Sequence, residues 1–225
     1  MIHPCTELRH VSPEIGVGVF ASTLIPKGTL VYVKDSLDIE ITEKQFMRME
    51  PVSRKMVEKY AYIDERGIRV VSWDHAKYVN HKCECNTIST GYGFEIALRD
   101  ISPGEEITDE YGLFNITVPF EVTCGCVNCR HVVRVTDLER YADVWDDQVK
   151  GALGFVREVD QPLRALIDPA TLAALNGYLD GRQSYRSVRT LKWNGAPLGS
   201  HPPVTSNRGL PILSDNPIDN NRLPG

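Results

Sequence analysis

No stretch of this sequence stays apolar for long enough to span a bilayer. It also lacks an opening charged segment followed by an apolar core, so no secretory leader is expected and the chain reads as intracellular, cytoplasmic or nuclear. Positive charge is in deficit: the formal net charge is −5. That leaves no global nucleic-acid footprint, and no direct nucleic-acid binding is expected. The acid excess lies in the first half, where it tolerates a basic peptide. Internal repeats and low-complexity tracts are absent. A dinucleotide fingerprint is absent too, because Gly16-Val17-Gly18 lacks the strand–GxGxxG–helix context.

Cysteines are few, and their placement is uneven. Of the 6, only Cys5 stands apart; Cys83, Cys85, Cys124, Cys126 and Cys129 cluster. In a reducing compartment clustered cysteines are more often metal ligands than disulfides. Cys124-Gly125-Cys126-Val127-Asn128-Cys129 brings three thiolates within one tight turn, and Gly125 eases that turn. A structural zinc wants four ligands, so one more must come from elsewhere: Cys83, Cys85, or the local competitor His131.

What remains is the composition of an ordinary globular protein, 225 residues with 42% hydrophobic and 24% charged. Residues 1–35 read as strands and turns, with a β-rich run at 30–33 after the Ile25-Pro26-Lys27-Gly28 turn. The pattern over 42–60 is helical from a Thr42 N-cap, split in two by Pro51. Strands follow at 68–71 and 94–98, with a turn at Ser102-Pro103-Gly104. From 136 to 180 the spacing of Leu138, Tyr141, Trp145, Val149, Leu153 and Val156 predicts a helix. A second helix runs from Asp168 or Pro169 to about Tyr178, stopped by Gly181. Past Gly181 the chain is rich in Pro, Gly, Asn and Arg, and 182–225 reads as a mostly disordered tail.

Four segments in order change the weight of each alone. Ile15-Gly16-Val17-Gly18-Val19-Phe20-Ala21 opens the set. Asn80-His81-Lys82-Cys83-Glu84-Cys85-Asn86 matches an Asn-His-Ser-Cys-x-Pro-Asn signature, with Lys82 and Cys85 departing from it. Gly104-Glu105-Glu106-Ile107-Thr108-Asp109-Glu110-Tyr111 matches Gly-Glu-Glu-Leu-Thr-x-x-Tyr, and the Cys124–Cys129 cluster closes the set. Over residues 8–131 the chain resembles the SET-domain family of protein-lysine methyltransferases with a post-SET zinc-binding module.

The resemblance implies a mainly β fold of small curled sheets with a pseudoknot-like active site, here followed by an α-helical appendage. It marks a catalytic domain at 8–115 and a zinc module at 116–131; residues 132–225 have no counterpart in it, and spacing and composition divide them into a helical segment at 132–181 and the tail. It implies methyl transfer from S-adenosylmethionine to a lysine side-chain amine of a protein or peptide. Gly16, Val17, Gly18, Asn80 and His81 then bind the methyl donor, and Tyr111 lies at the transfer point. One structural Zn2+ sits on Cys83, Cys124, Cys126 and Cys129, with Cys83 selected over Cys85.

Tyr60 and Tyr62 are candidate walls of the substrate channel and equally candidate core aromatics. Asp109 stands where the family usually has Phe or Tyr. The expectation is that its carboxylate turns away to pair with a cation, because a buried unpaired carboxylate is costly. That leaves a roomy channel and some di- or trimethylated product. The helical segment is expected to pack on the catalytic core or on a second copy as a homodimer. The competing readings are a catalytically inactive SET-like peptide-binding or scaffold module and a zinc-knuckle nucleic-acid binder.

Overall fold

The computed structural model describes residues 1–195. The first two strands, β1 (Thr6–Ser12) and β2 (Gly16–Ala21), form an antiparallel hairpin. The Leu-Val-Tyr-Val run of β3 (Leu30–Val33) is wholly buried, and β4 (Ile39–Ile41) follows it. The expected pair of helices is α1 (Glu43–Arg48) and α2 (Pro51–Tyr60). Thr42 and Gln45 complete a capping box on α1, and Pro51, at the start of α2, gives up a backbone N–H that has no intrahelical partner there. Next come β5 (Ala61–Ile63), β6 (Arg69–Val71), β7 (Asn80–His81), β8 (Thr87–Ser89), β9 (Phe94–Ala97) and β10 (Glu106–Asp109). The hairpin of β11 (Phe120–Glu121) and β12 (Val132–Val133) flanks the cysteine cluster, and α3 (Asp137–Leu153) and α4 (Pro169–Leu179) complete the order.

The sheets are small, as the resemblance implies: β1-β2-β10-β7, β3-β9-β8, β4-β6-β5 and the β11-β12 hairpin. In the first, β7 runs parallel to β10 although every other pairing is antiparallel. The register sets Thr108 opposite Asn80 and Asp109 opposite His81. Two signature segments far apart in sequence are thereby clamped side by side, just before Tyr111.

Two cores lie back to back on β3 and β9. Val19, Ile25, Val31, Ala97, Ile101 and Ile107 form one. Leu30, Phe94 and Ile96 point into the other, where they meet Trp145, Val149 and Leu153 of α3. The helical segment thus covers the β3-β9-β8 sheet of its own chain. The apolar face that motivated a homodimer is occupied from within.

The first part of the expected tail departs from its reading. Residues 182–195 pack back on the molecule: Val188 is buried, and Asp146 of α3 accepts hydrogen bonds from Tyr185 (2.9 Å), Ser187 (2.6 Å) and the Val188 N–H (2.8 Å). Asn115 binds the Leu191 carbonyl and the Trp193 N–H, both at 2.8 Å. Polar and charged residues dominate this stretch, so its anchoring by side-chain hydrogen bonds left no apolar pattern to read. The expectation for 196–225 lies outside the described residues. No helix among the described residues is long and apolar enough to cross a membrane.

Candidate active site and metal centre

The opening glycines line the edge where β2, β7 and β10 meet. Gly16 has φ +84°, a left-handed value suited to glycine, and a Cβ there meets nothing within 4 Å, so the space beside it is open. At Gly18 a Cβ would lie 2.7 Å from Glu106 Oε1 and 2.9 Å from Asn80 Nδ2, so a larger residue would push the Glu106 and Asn80 side chains apart. The Asn80 amide donates to the Val17 carbonyl (3.2 Å) and to Glu106 Oε1 (2.9 Å). All five expected donor-binding residues therefore sit on two strands joined through β10.

His81 connects this edge to Tyr111. Its Nδ1 lies 3.1 Å from the Asp109 carbonyl and 3.3 Å from the Tyr111 N–H, and its Nε2 lies 3.4 Å from Cys83 Sγ. Burial, helped by the Arg130 charge, lowers its pKa to about 4, so the ring is neutral at neutral pH. Tyr111 donates its hydroxyl hydrogen to the Val79 carbonyl at 2.6 Å. Burial holds its pKa well above the ordinary phenol value, with the nearby Asp109 and Glu95 charges adding to the rise.

Four thiols converge beside this strand. The Sγ atoms of Cys83, Cys124, Cys126 and Cys129 lie within 4.8 Å of one another, with Cys124 3.0 Å from Cys126 and 3.3 Å from Cys129. A tetrahedral zinc with ~2.3 Å bonds separates its sulfurs by about 3.8 Å, so the set fits such an ion. Cys85 lies outside the set, and burial pushes its thiol pKa well up. His131 is exposed and also outside it.

The neighbouring Arg130 ties the cluster to the rest of the site. Its N–H points at Cys83 Sγ (3.4 Å) and its guanidinium binds Glu110 (2.6 Å) and Asp137 (3.2 Å) beneath the Tyr141 ring. Both carboxylates are 1% exposed, so an ion pair here is weakly screened and losing either partner would strand a buried charge.

Next to Phe114 a cavity of about 320 Å3 opens, lined by Tyr32, Tyr62, Ser89, Glu95, Leu113 and Phe114 among others. Phe114 joins it to Tyr111, with ring centroids 5.5 Å from Tyr62 and 5.3 Å from Tyr111. Tyr62 therefore lines this cavity. Tyr60 does not: it stacks edge-on against Tyr78 at 5.4 Å, because α2 ends at Tyr60 and the strand alternation that follows turns only Tyr62 inward.

Asp109 differs from expectation in its partner. It is 1% exposed; Oδ1 accepts the Glu110 N–H at 2.7 Å, and Oδ2 is buried without a hydrogen-bond partner. No cation pairs with it among the described residues. Burial first, and then the neighbouring Glu95 carboxylate, raise its pKa well above the carboxylate range. A buried acid that finds no cation lowers its cost by keeping its proton instead. Glu95 and Arg130 escaped the sequence reading. Glu95 is a polar residue in an alternating strand, a pattern that marks a solvent face; here that face looks into a cavity. Arg130 carried one signal, its place directly after the last clustered cysteine.

The family model described as SET domain matches residues 16–112. A variant-silencing SET domain-containing protein of Plasmodium falciparum (isolate 3D7) is 32% identical over 134 residues, which are 52% of this chain and 5% of that protein. The chain thus spans a small fraction of that relative's length. Crystal structures of KRYPTONITE, one in complex with mCHG DNA and SAH and one with mCHH DNA, H3(1-15) peptide and SAH, align at 19% identity. Their TM-scores are 0.41 and 0.40, each covering 57% of this chain and 29% of the other. Both signature segments and the strand pairing that joins them lie inside the matched region, so residues 16–112 of the chain carry a SET domain.

Proposed function

We propose that this chain transfers a methyl group from S-adenosylmethionine to the side-chain amine of a protein lysine, and that it holds one structural Zn2+ on Cys83, Cys124, Cys126 and Cys129. The single observation behind the reading is the meeting of the glycine edge, the Asn80-His81 strand and Tyr111 across β10, with an aromatic cavity next to Phe114. When bound, the donor supplies an electrophilic methyl group on a sulfonium.

The chain's own residues then have separable tasks. Gly16 leaves room for close backbone approach, and Asn80, held by two hydrogen bonds, binds the charged amino-acid end of the donor. Tyr62 and Phe114 form the apolar wall along which the lysine stem is buried. Since the Tyr111 hydrogen goes to Val79, its oxygen lone pairs are free to accept from the amine and the polarised methyl group at the transfer point. Alignment of the two reacting atoms is the main catalytic contribution of this arrangement. The four-thiol site leaves the metal no open coordination position, so its role is to tie the module after β11 to Cys83, next to the donor-binding strand.

The deciding experiment is transfer of labelled methyl groups from S-adenosylmethionine into a fractionated proteome, followed by site mapping. Label on lysine side chains supports the reading. Donor binding by calorimetry without any transfer would establish the inactive binding module in its place.

A further inference from the structure

The methyltransferase reading leaves one chemical demand unanswered. A lysine amine is a nucleophile only when neutral, whereas its ordinary pKa is near ~10.4. Tyr111 is poorly suited to take the proton, since its own hydrogen is engaged by Val79 and burial disfavours its phenolate.

Resting on that reading, we propose that Glu95, on the wall of the aromatic cavity, is the general base that removes the proton from the substrate ammonium, and that Asp109 behind it is a positioning residue. Three observations carry this. First, the β9 alternation separates Glu95 from Phe94 and Ile96, which are buried in the helix-facing core, and turns it to the other face of the sheet. There its register partners are Tyr32 of β3 and Ser89 of β8, and all three line the cavity. Second, the same cavity carries Tyr62 and Phe114, and Phe114 leads to Tyr111. A lysine stem running along these rings toward the Tyr111 hydroxyl passes the Glu95 carboxylate. Third, Asp109 is buried at 1% exposure and its carboxyl meets that of Glu95, the acid that most raises it.

The charges around Glu95 fit the role. Tyr32 of β3, Lys34 just after it, Tyr62 of β5, and Asp64, Glu65 and Arg66 after that line the same cavity, while Asp109 of β10 and the N-terminal ammonium act on Glu95. Tyr32 and Tyr62 are held as neutral phenols by burial. Burial lifts Glu95 to about 7, and both a proton on Asp109 and the ammonium favour its ionised form. The acid that stays protonated therefore lies behind, and the acid that titrates near neutrality faces the cavity. In the step itself an N–H bond of the ammonium breaks and an O–H bond forms on Glu95, which frees the nitrogen lone pair. As the N–C bond forms the sulfonium S–C bond breaks, and the Glu95 proton leaves to solvent through the cavity mouth.

The test compares the intact chain with Glu95→Gln and Asp109→Asn. Single-turnover methyl transfer from tritiated S-adenosylmethionine to a random lysine-containing peptide library is measured across pH 5.5–9.5. In the unmodified chain the rate should rise through pH about 7 and level off, as the base ionises. Glu95→Gln should lower the plateau by about 100-fold and abolish the levelling, leaving only the rise due to the substrate amine itself. Asp109→Asn should retain most of the rate and move the midpoint. Without donor, carboxyl 13C NMR on glutamate-labelled protein should show a resonance titrating near 7 that disappears in Glu95→Gln and shifts in Asp109→Asn; that spectrum also reports folding. Transfer by the intact chain with an unchanged rate and profile in a folded Glu95→Gln would overturn the assignment and leave the methyltransferase reading standing. No transfer by the intact chain would overturn both.

Discussion

On the proposed mechanism, Tyr111, Asp109 and Glu95 divide the labour of the site at the scale of single side chains. Tyr111→Phe removes one hydroxyl and one hydrogen bond to Val79, worth about 1 kcal/mol of stability. It should fold, bind donor in calorimetry with unchanged affinity, and lose most of its turnover, because the hydroxyl acts in the transition state. Turnover at the original rate would remove Tyr111 from the mechanism. Asp109 is small where the family usually carries a large aromatic ring. Asp109 is only 1% exposed, so Asp109→Tyr should overpack its site and lower the Tm read by thermal denaturation. Glu95 also marks the pH dependence of stability. Its folded-state pKa of about 7 exceeds the ordinary 4.5, so the folded state binds more protons between those values. Its contribution is present below pH 4.5 and is lost as pH rises through about 7. Chemical denaturation of Glu95→Gln should fall less in stability over that window than the unmodified chain; an identical slope would contradict the shift.

Single elements transmit these roles. The parallel β7–β10 pair holds Asn80 and His81 against Thr108 and Asp109, and α3 supports the turn that follows. A Cβ on Gly112, next to Tyr111, would lie 2.8 Å from the Trp145 ring, so helix and catalytic turn are in direct contact. Trp145 is also buried against the β3-β9-β8 core and lies under the Arg130 guanidinium. Trp145→Ala should cost about 3–5 kcal/mol of unfolding free energy, by lost burial plus the cavity left behind. It should also lower turnover more than donor affinity, since the Tyr111 turn loses its backing while the Gly16–Asn80 edge does not. Equal losses in both, by kinetics and calorimetry, would argue against this division.

For the molecule as a whole, the proposed metal site closes the arrangement. Cys83 belongs to the donor-binding segment and the other three thiols to a module more than forty residues later, joined further by Arg130 to Glu110 and Asp137. Elemental analysis should give one zinc per chain. Cys83→Ser should lose metal and much donor affinity and lower Tm, whereas Cys85→Ser should keep its metal, because Cys85 lies outside the thiol set. Equal metal loss in both would break the assignment.

The sequence by itself determined the local matters. Thr42, Pro51, Asp168 and Gly181 bound their helices as their backbone chemistry dictates, and the spacing from Leu138 to Leu153 gives α3 its buried face. The ordered signatures with Tyr111, Asn80-His81 and the cysteines identified the family, because each is a contiguous set whose spacing survives in one dimension. Tertiary structure alone decided the rest. Glu95 reads as an ordinary exposed strand residue until β3 and β5 close a cavity over it, and Asp109 reads as needing a cation until Glu95 is found beside it. Tyr60 and Tyr62, two residues apart, are indistinguishable in sequence; the helix-to-strand break between them decides which faces the cavity. Residues 182–195 follow the same rule, since their hold on Asp146 and Asn115 rests on hydrogen bonds between groups far apart in the chain. Periodicity records burial along one element, and none of these contacts lies along one element.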